Sequence, residues 1–258
     1  MSVFGIIITV LVIVLVIMVL RYLLFDPYTL NNMTVGTSMT TIQPSSLATN
    51  GTNVRSSNFA YSIWFYVNDW NYRYGEPKVI FGRMGSPSNK SFSSIAGVNG
   101  LDPCPAVVLG AIENSVSVSV GCYPGLNQQP TNKQGRTVVN TCTVNNIPIQ
   151  RWVNLIVSVY GRTLDIYVDG KLVKTCLLPG VANVNNSASV YISPGGGFDG
   201  WTTKFQYFPN PLNPQEVYNI YSKGFSQYTL GGLVGFYNPY QVKVSLLENG
   251  TTTGTLTI

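Results

Sequence analysis

The chain contains no histidine. The usual neutral-pH general base is therefore missing, and so are the imidazole zinc ligands and the helical His-Glu-x-x-His metalloprotease site. Charge is also scarce, since only 10% of the 258 residues are Asp, Glu, Lys or Arg, against about 25% in ordinary soluble proteins. So few charges argue against a disordered chain. The net charge of +5 comes from 15 basic residues spread thinly, whereas phosphate-tracking proteins gather Lys and Arg on one face. No nucleic acid partner is expected. Only four glutamates occur, Glu76, Glu113, Glu216 and Glu248, and no three acids cluster locally. What the chain does have is 25 Gly, 15 Pro, 16 Tyr and 11 Phe, a composition that favours a β-rich domain with many turns and aromatic-filled sheets.

Residues 3–20, bounded by Val3 and Leu20, form an uncharged apolar run closed by Arg21. About 20 such residues at 1.5 Å rise cross the roughly 30 Å hydrocarbon core of a bilayer. A cleaved signal peptide would need a basic start and a small-residue cleavage site, and neither is present. Residues 1–25 are expected to be a retained single transmembrane helix. Arg21, the only nearby basic side chain, places the C-terminal bulk on the cytosolic side. Residues 26–55 are rich in Thr, Ser and Asn and read as a polar linker, able to reach on the order of 100 Å when extended.

From residue 56 a two-residue period appears. Tyr61, Ile63, Phe65 and Val67 alternate with Ser62, Trp64, Tyr66 and Asn68, the mark of a β-strand. Residues 106–111 and 115–120 flank a short loop at Ile112, Glu113 and Asn114. Strands follow at 152–160, 163–168 and 171–176, joined by Gly161-Arg162 and by Asp169-Gly170. Asp-Gly between alternating strands is a strong hairpin signal, because a type I′ turn needs positive φ at both centres. One short helix is signalled by Asn213-Pro214-Gln215-Glu216, where Asn caps, Pro opens and Glu reaches back. Val217, Ile220 and Tyr221 form its buried face, and Gly224 suits its exit.

Three pieces resemble the concanavalin A-like lectin/glucanase superfamily in its laminin G-like form. They are Tyr61-Ser62-Ile63-Trp64-Phe65-Tyr66-Val67; Arg151-Trp152-Val153-Asn154-Leu155-Ile156-Val157, running on to the hairpin Leu164-Asp165-Ile166-Tyr167-Val168-Asp169-Gly170-Lys171-Leu172-Val173; and Phe198-Asp199-Gly200-Trp201, running on to Glu216-Val217-Tyr218-Asn219-Ile220-Tyr221. The resemblance implies an all-β fold, an antiparallel β-sandwich of the concanavalin A-like jelly-roll kind with one short helix, over residues 56–226.

Some members of that superfamily cleave polysaccharides with two carboxylates about 5 to 10 Å apart. Here the nearest pair on one strand, Asp165 and Asp169, would lie roughly 13 Å apart at about 3.3 Å per residue, so no catalytic residues and no enzyme activity are expected. Carbohydrate binding has more support, because sugar rings stack on aromatics and the loop 70–74 offers Trp70, Tyr72 and Tyr74. Trp201 with Gly195-Gly196-Gly197 reads as a second rim. Calcium is held at some laminin G-like rims, but Asp69, Asp102 and Asp199 are too few donors for a cation wanting six to eight oxygens. No metal and no cofactor are expected.

The cysteines Cys104, Cys122, Cys142 and Cys176 match no zinc-ribbon spacing. Disulfides or buried thiols remain; positions 104 and 122 are equidistant from residue 113, at the centre of the hairpin, which favours a Cys104–Cys122 disulfide and leaves Cys142 to pair with Cys176. Disulfides suit an oxidising compartment, in conflict with the orientation given by Arg21. An N-terminal anchor followed by such a domain resembles, in architecture, the minor capsid and membrane proteins of large icosahedral DNA viruses. Those viruses carry their own thiol oxidation system, which would resolve the conflict. The resemblance implies a structural virion protein, anchored in the internal membrane beneath the capsid, whose partners are the lipid bilayer and the major or other minor capsid proteins. The alternative is a single-pass lectin-like adhesion module of a cell membrane that binds glycans and uses its sequons at Asn32, Asn50, Asn89, Asn185 and Asn249. The tail, residues 227–258, reads as a C-terminal β-hairpin extension turning at Asn249-Gly250, either a docking element or a strand completing its own domain.

Overall fold

The computed structural model describes residues 8, 11–16, 18, 28–47, 57–84, 103–130, 137–225, 243–248 and 251–257. Two antiparallel sheets make an all-β sandwich. The first, in spatial order, holds β1 (Thr29–Asn31), β13 (Asp199–Phe208), β4 (Phe59–Asp69), β9 (Trp152–Tyr160), β10 (Thr163–Val168) and β11 (Lys171–Leu177), with β2 (Thr34–Val35) also on β13. The second holds β3 (Thr40–Ile42), β12 (Ser189–Ile192), β5 (Lys78–Met84), β6 (Ala106–Leu109), β7 (Ser115–Cys122) and β8 (Val138–Asn145).

The alternation on β4 works as expected. Phe59, Tyr61, Ile63, Phe65 and Val67 enter the core, where they meet Val153, Leu155, Val157 and Val159 of β9 and Val116, Val118 and Val120 of β7. Fully burying side chains of this size stabilises by about 1.5–3 kcal/mol each. The Asp169-Gly170 turn has φ of 49° and 75°, as the type I′ hairpin requires. Gly200 on β13 has φ of 149°, and a Cβ there would stand 1.8 Å from the Tyr66 carbonyl oxygen, so only glycine lets β13 approach β4 at that point. The helix α1 (Pro214–Ser222) carries the full capping box: the Asn213 side chain accepts from the Glu216 N–H at 2.9 Å, and Glu216 accepts from the Asn213 N–H at 2.8 Å. Its Val217 packs on Ile156 and Tyr167, on the outer face of the first sheet.

Two expectations change. Residues 29–42, read as part of a free polar linker, instead add β1 and β2 to β13 and β3 to β12. The segment is held by backbone pairing, by the Thr34–Thr202 hydroxyl contact at 3.0 Å and by Ile42 and Leu47 in the core. Its polar composition hid this, because edge strands this short need backbone partners more than apolar side chains. The expected Cys104–Cys122 disulfide is also absent. Both residues are buried thiols, and only Cys142 and Cys176 are joined among the described residues. The β6–β7 register sets Ala106 opposite Ser119, which continues to 104 opposite 121 rather than 122, and the Gly121 N–H donates to the Pro103 carbonyl at 2.6 Å. A register one residue off the assumed centre removes the cross-strand pairing.

Finally, Val3 and Leu20 lie outside the described residues, as do Asp102, Asn50, Asn89 and Asn249. Ile8, residues 11–16 and Met18 are helical, and no helix among the described residues is long and apolar enough to cross a membrane. In the tail, β14 (Lys243–Glu248) pairs with β15 (Thr251–Thr257) as the expected hairpin, and neither strand joins the two larger sheets.

The Cys142–Cys176 bond ties β8, the edge of the second sheet, to β11, the edge of the first. Beside it Lys174 donates to the Thr143 carbonyl at 2.7 Å and Asn140 to that of Leu177 at 3.2 Å. Closing 34 residues restricts the unfolded chain by about 4 kcal/mol. Non-reducing mass mapping is expected to find the 142–176 link alone. Cys142→Ser with Cys176→Ser should lower unfolding stability by about 2–4 kcal/mol, while native-state alkylation leaves Cys104 and Cys122 unmodified until the chain unfolds. Burial pushes the Cys122 thiol up to about 12, which keeps it from forming the reactive thiolate.

Candidate functional site

The loop after β4 and the glycine loop before β13 come together at one end of the sandwich. Tyr72 donates its hydroxyl to the Gly196 carbonyl at 3.1 Å. Arg73 donates to the Gly195 carbonyl at 2.6 Å, while its other guanidinium nitrogens bind Glu76 at 2.7 and 2.9 Å. The rim expected from two separate loops is therefore one joined structure.

Its aromatics are unequally available. Trp70 is partly buried against the core, donates its indole N–H to the Ile112 carbonyl at 3.2 Å and has the Lys78 ammonium 4.8 Å from its ring centroid. Tyr72 is half-buried and hydrogen-bonded, and Tyr74 is 58% exposed. Trp201 does not join them. It lies on the outer face of the first sheet, edge-on to Tyr66 at 5.6 Å, because β13 pairs it with Tyr66 on the side of β4 that faces away from the core. Asp69 and Asp199 stand opposite each other on β4 and β13, but their carboxylates serve the loops: Asp199 accepts from Asn68 at 2.8 Å and Asp69 from the Asn71 N–H at 2.8 Å. No group of three or more His, Cys, Asp or Glu able to hold a metal occurs among the described residues. Asp165 and Asp169, the pair weighed for glycoside cleavage, have ordinary partners: Asp165 accepts from Thr175 at 2.6 Å, and Asp169 pairs with Arg151 at 2.7 Å.

Two features escaped the sequence reading. The first is a row of rings on the outer face, running from Trp201 through Tyr66 to Trp152, then to Phe225 stacked on Trp152 at 4.9 Å, with Trp64 and Tyr221 stacked at 5.6 Å beside it. The signal was available in β4, whose even positions carry Trp64 and Tyr66 where a solvated face would be polar. The second is Lys78. It is buried at the start of β5, where its partners among the described residues are the Trp70 carbonyl at 3.5 Å and the Trp70 ring. Burial holds its ammonium below the usual lysine value, reinforced by Arg73 and opposed by Glu76 and Asp69.

No family model matches the sequence, and no curated protein matches it. Solved structures do. The receptor binding domain of botulinum neurotoxin C/D mosaic serotype is similar over 75% of this chain and 43% of its own, at 10% identity and a TM-score of 0.51. The binding domain of botulinum neurotoxin DC in complex with rat synaptotagmin II matches at 14% identity over 75% of this chain and 42% of its own, with a TM-score of 0.49. The chain thus spans less than half the length of these domains. At 10% identity the likeness to the first of these shows the fold alone, an antiparallel β-sandwich.

Lys78 gives a pH-dependent test. Its folded-state pKa lies below the unfolded value of 10.5, so between the two the unfolded chain binds more protons and stability rises with pH. The penalty is present in full below the folded pKa and is gone above 10.5. Lys78→Met is expected to melt no lower than wild type at pH 7, with any advantage shrinking as pH rises from the folded pKa toward 10.5 and gone above it. A wild type more stable at pH 7 by over ~2 kcal/mol would make the cation–π contact the larger effect.

Proposed function

We propose that the chain is a non-enzymatic, membrane-anchored structural protein whose concanavalin A-like jelly roll docks onto a protein layer. In its most specific form this is a minor capsid protein linking an internal viral membrane to the capsid shell. The observation that carries the reading is the N-terminal helix. Its described residues Ile8, Leu11, Val12, Ile13, Val14, Leu15, Val16 and Met18 are all apolar and all at least 46% exposed. Six consecutive residues go more than once around a helix of 3.6 per turn, and a helix apolar on every side needs a lipid or protein surround.

The pairing of β1 supports a fixed position rather than a long tether. Between Met18 in the helix and Tyr28 beside β1 the backbone can reach at most about 35 Å, a third of the span that a free linker to residue 55 would allow. A sandwich held so near a bilayer suits a link between two layers.

A second reading, a glycan-binding adhesion module, is favoured by the joined rim with Tyr74 open to solvent. The fold shared with a receptor binding domain is compatible with a binding role without catalysis, although fold alone does not assign function.

The test has two parts. The intact chain should stay with membranes through carbonate washing, and Leu11→Lys with Leu15→Lys should release it. In native particles, cross-linking should join the sandwich to shell proteins. Release of the unmodified chain by carbonate would overturn the anchor. Occupied N-glycans at Asn32 or Asn185, together with retention on a glycan array, would favour the adhesion reading.

A further inference from the structure

On the outer face of the first sheet, away from the rim, α1 and the loop before it overhang β9, β10 and β11 and enclose a groove of about 660 Å³. Its walls are apolar, formed by Leu172, Pro211, Leu212 and Pro214. Leu172 is 51% exposed and Tyr160, at the mouth, is 67% exposed. Only two charged side chains line it, Asp165 and Glu216, and both are carboxylates in a chain whose net charge is +5.

Each carboxylate has one oxygen committed. Asp165 Oδ1 accepts from Thr175, and Glu216 Oε2 accepts from the Asn213 N–H. Their second oxygens have no hydrogen-bond donor among the described residues. Tyr167 is an independent sign of a ligand. Its residue is 2% exposed and lines the groove, and its hydroxyl has no protein hydrogen-bond partner among the described residues and is not one of the buried unsatisfied atoms, so it is the part of the side chain that opens to the groove. Burial, together with the nearby Asp165 charge, raises its pKa, so it stays a protonated donor and acceptor aimed into the groove. The N-terminus of α1 brings about half a positive charge, less than the two negative charges beside it.

We infer that this groove takes a lysine or arginine side chain from a partner protein, with the cation at Asp165, Glu216 and the tyrosine rings and the aliphatic stem along Leu172, Pro211 and Leu212. Carboxylate plus aromatic face is the chemistry that holds a cation, and apolar walls accept a long stem. A neutral sugar would want several donors and acceptors of both kinds. Here the charged groups are acceptors only, and the Ser158 hydroxyl is already engaged as acceptor for the Leu212 N–H at 3.0 Å. The inference deepens the docking reading by naming the chemistry of the partner's surface, but its test needs neither membrane nor shell, so either can fail alone.

The experiment uses the full chain in detergent micelles, titrated by calorimetry or NMR with N-acetyl-arginine amide and N-acetyl-lysine amide. N-acetyl-norleucine amide serves as the neutral match and methyl glucoside as the sugar probe. The cationic probes should bind with millimolar Kd, weaken several-fold between 50 and about 500 mM salt as screening predicts, and weaken at least tenfold in Asp165→Asn. Tyr167→Phe keeps the packing and should weaken binding about threefold, whereas Tyr74→Ala on the distant rim should leave it unchanged. Equal binding of the norleucine probe, binding of methyl glucoside alone, or an unaltered Kd in a folded Asp165→Asn would each overturn the proposal.

Discussion

The two faces of β4 set every surface of the sandwich. Its odd residues from Phe59 to Val67 fill the space between the sheets, so a slip of one residue would exchange them for Ser62, Trp64 and Tyr66 and empty the core. Its even positions carry Trp64 and Tyr66 as well, which obliges that part of the outer face to be covered. Tyr221 from α1 and Phe225 just beyond it lie against Trp64 and Trp152, and α1 reaches them because its capped first turn is anchored where Ser158 accepts the Leu212 N–H. The overhanging groove follows from that anchoring. A helix laid over a sheet to cover aromatics at one end leaves a cleft at the other, where β10 and β11 run beyond its N-terminus.

The low charge of the chain fits the same picture. The sheet edges are extended by further pairing, and Lys171 and Lys174 lie on the outermost strand β11. β1, β2 and β3 extend two strands that would otherwise be edges, and the disulfide with its two flanking hydrogen bonds clasps the opposite side. Cations that are buried are then costly, and the three among the described residues sit at junctions between elements: Lys204 of β13 donates to the Gly224 carbonyl beyond α1 at 3.0 Å. Lys78 lies beneath the rim loop, while Arg83 donates to the Ala188 and Asn186 carbonyls at 3.3 and 3.4 Å, tying β5 to the approach to β12.

Much of this was legible in the residues wherever local rules act alone. The alternation of β4, the Asp169-Gly170 turn, the capping box at Asn213 and the pairing of β14 with β15 each follow from neighbours within a few positions. The Cys142–Cys176 link was reached as well, but only as the remainder after a pairing that the structure does not make. What failed depended on register or on distant partners. Cys104 and Cys122 needed the β6–β7 register to one residue, which a loop of uncertain turn does not fix. Residues 29–42 needed knowledge of which strands lay at the sheet edges. Trp201 needed the face of β13, and that strand carries register shifts on both sides of its middle residues, between Asp199 and Gly200 and between Thr203 and Gln206, so parity counted along the sequence does not carry through it.

The same distinction explains why the rim and the groove differ as sites. At the rim, the polar groups of Tyr72 and Arg73 are spent on holding two loops together, and Trp70 has one neighbour on its ring and another on its indole nitrogen. Such a rim is built chiefly as structure, with Tyr74 the ring left open. In the groove the reverse holds: Asp165 and Glu216 each commit one oxygen to the fold and leave one uncommitted, and the Tyr167 hydroxyl is unspent although nearly all of its side chain is covered. That hydroxyl is not one of the buried polar atoms left without a partner, so it opens to the groove. A fold that extends its edges by pairing and caps its helix fully has the means to satisfy such a group, and leaving it open beside a carboxylate is the arrangement that a bound donor would complete.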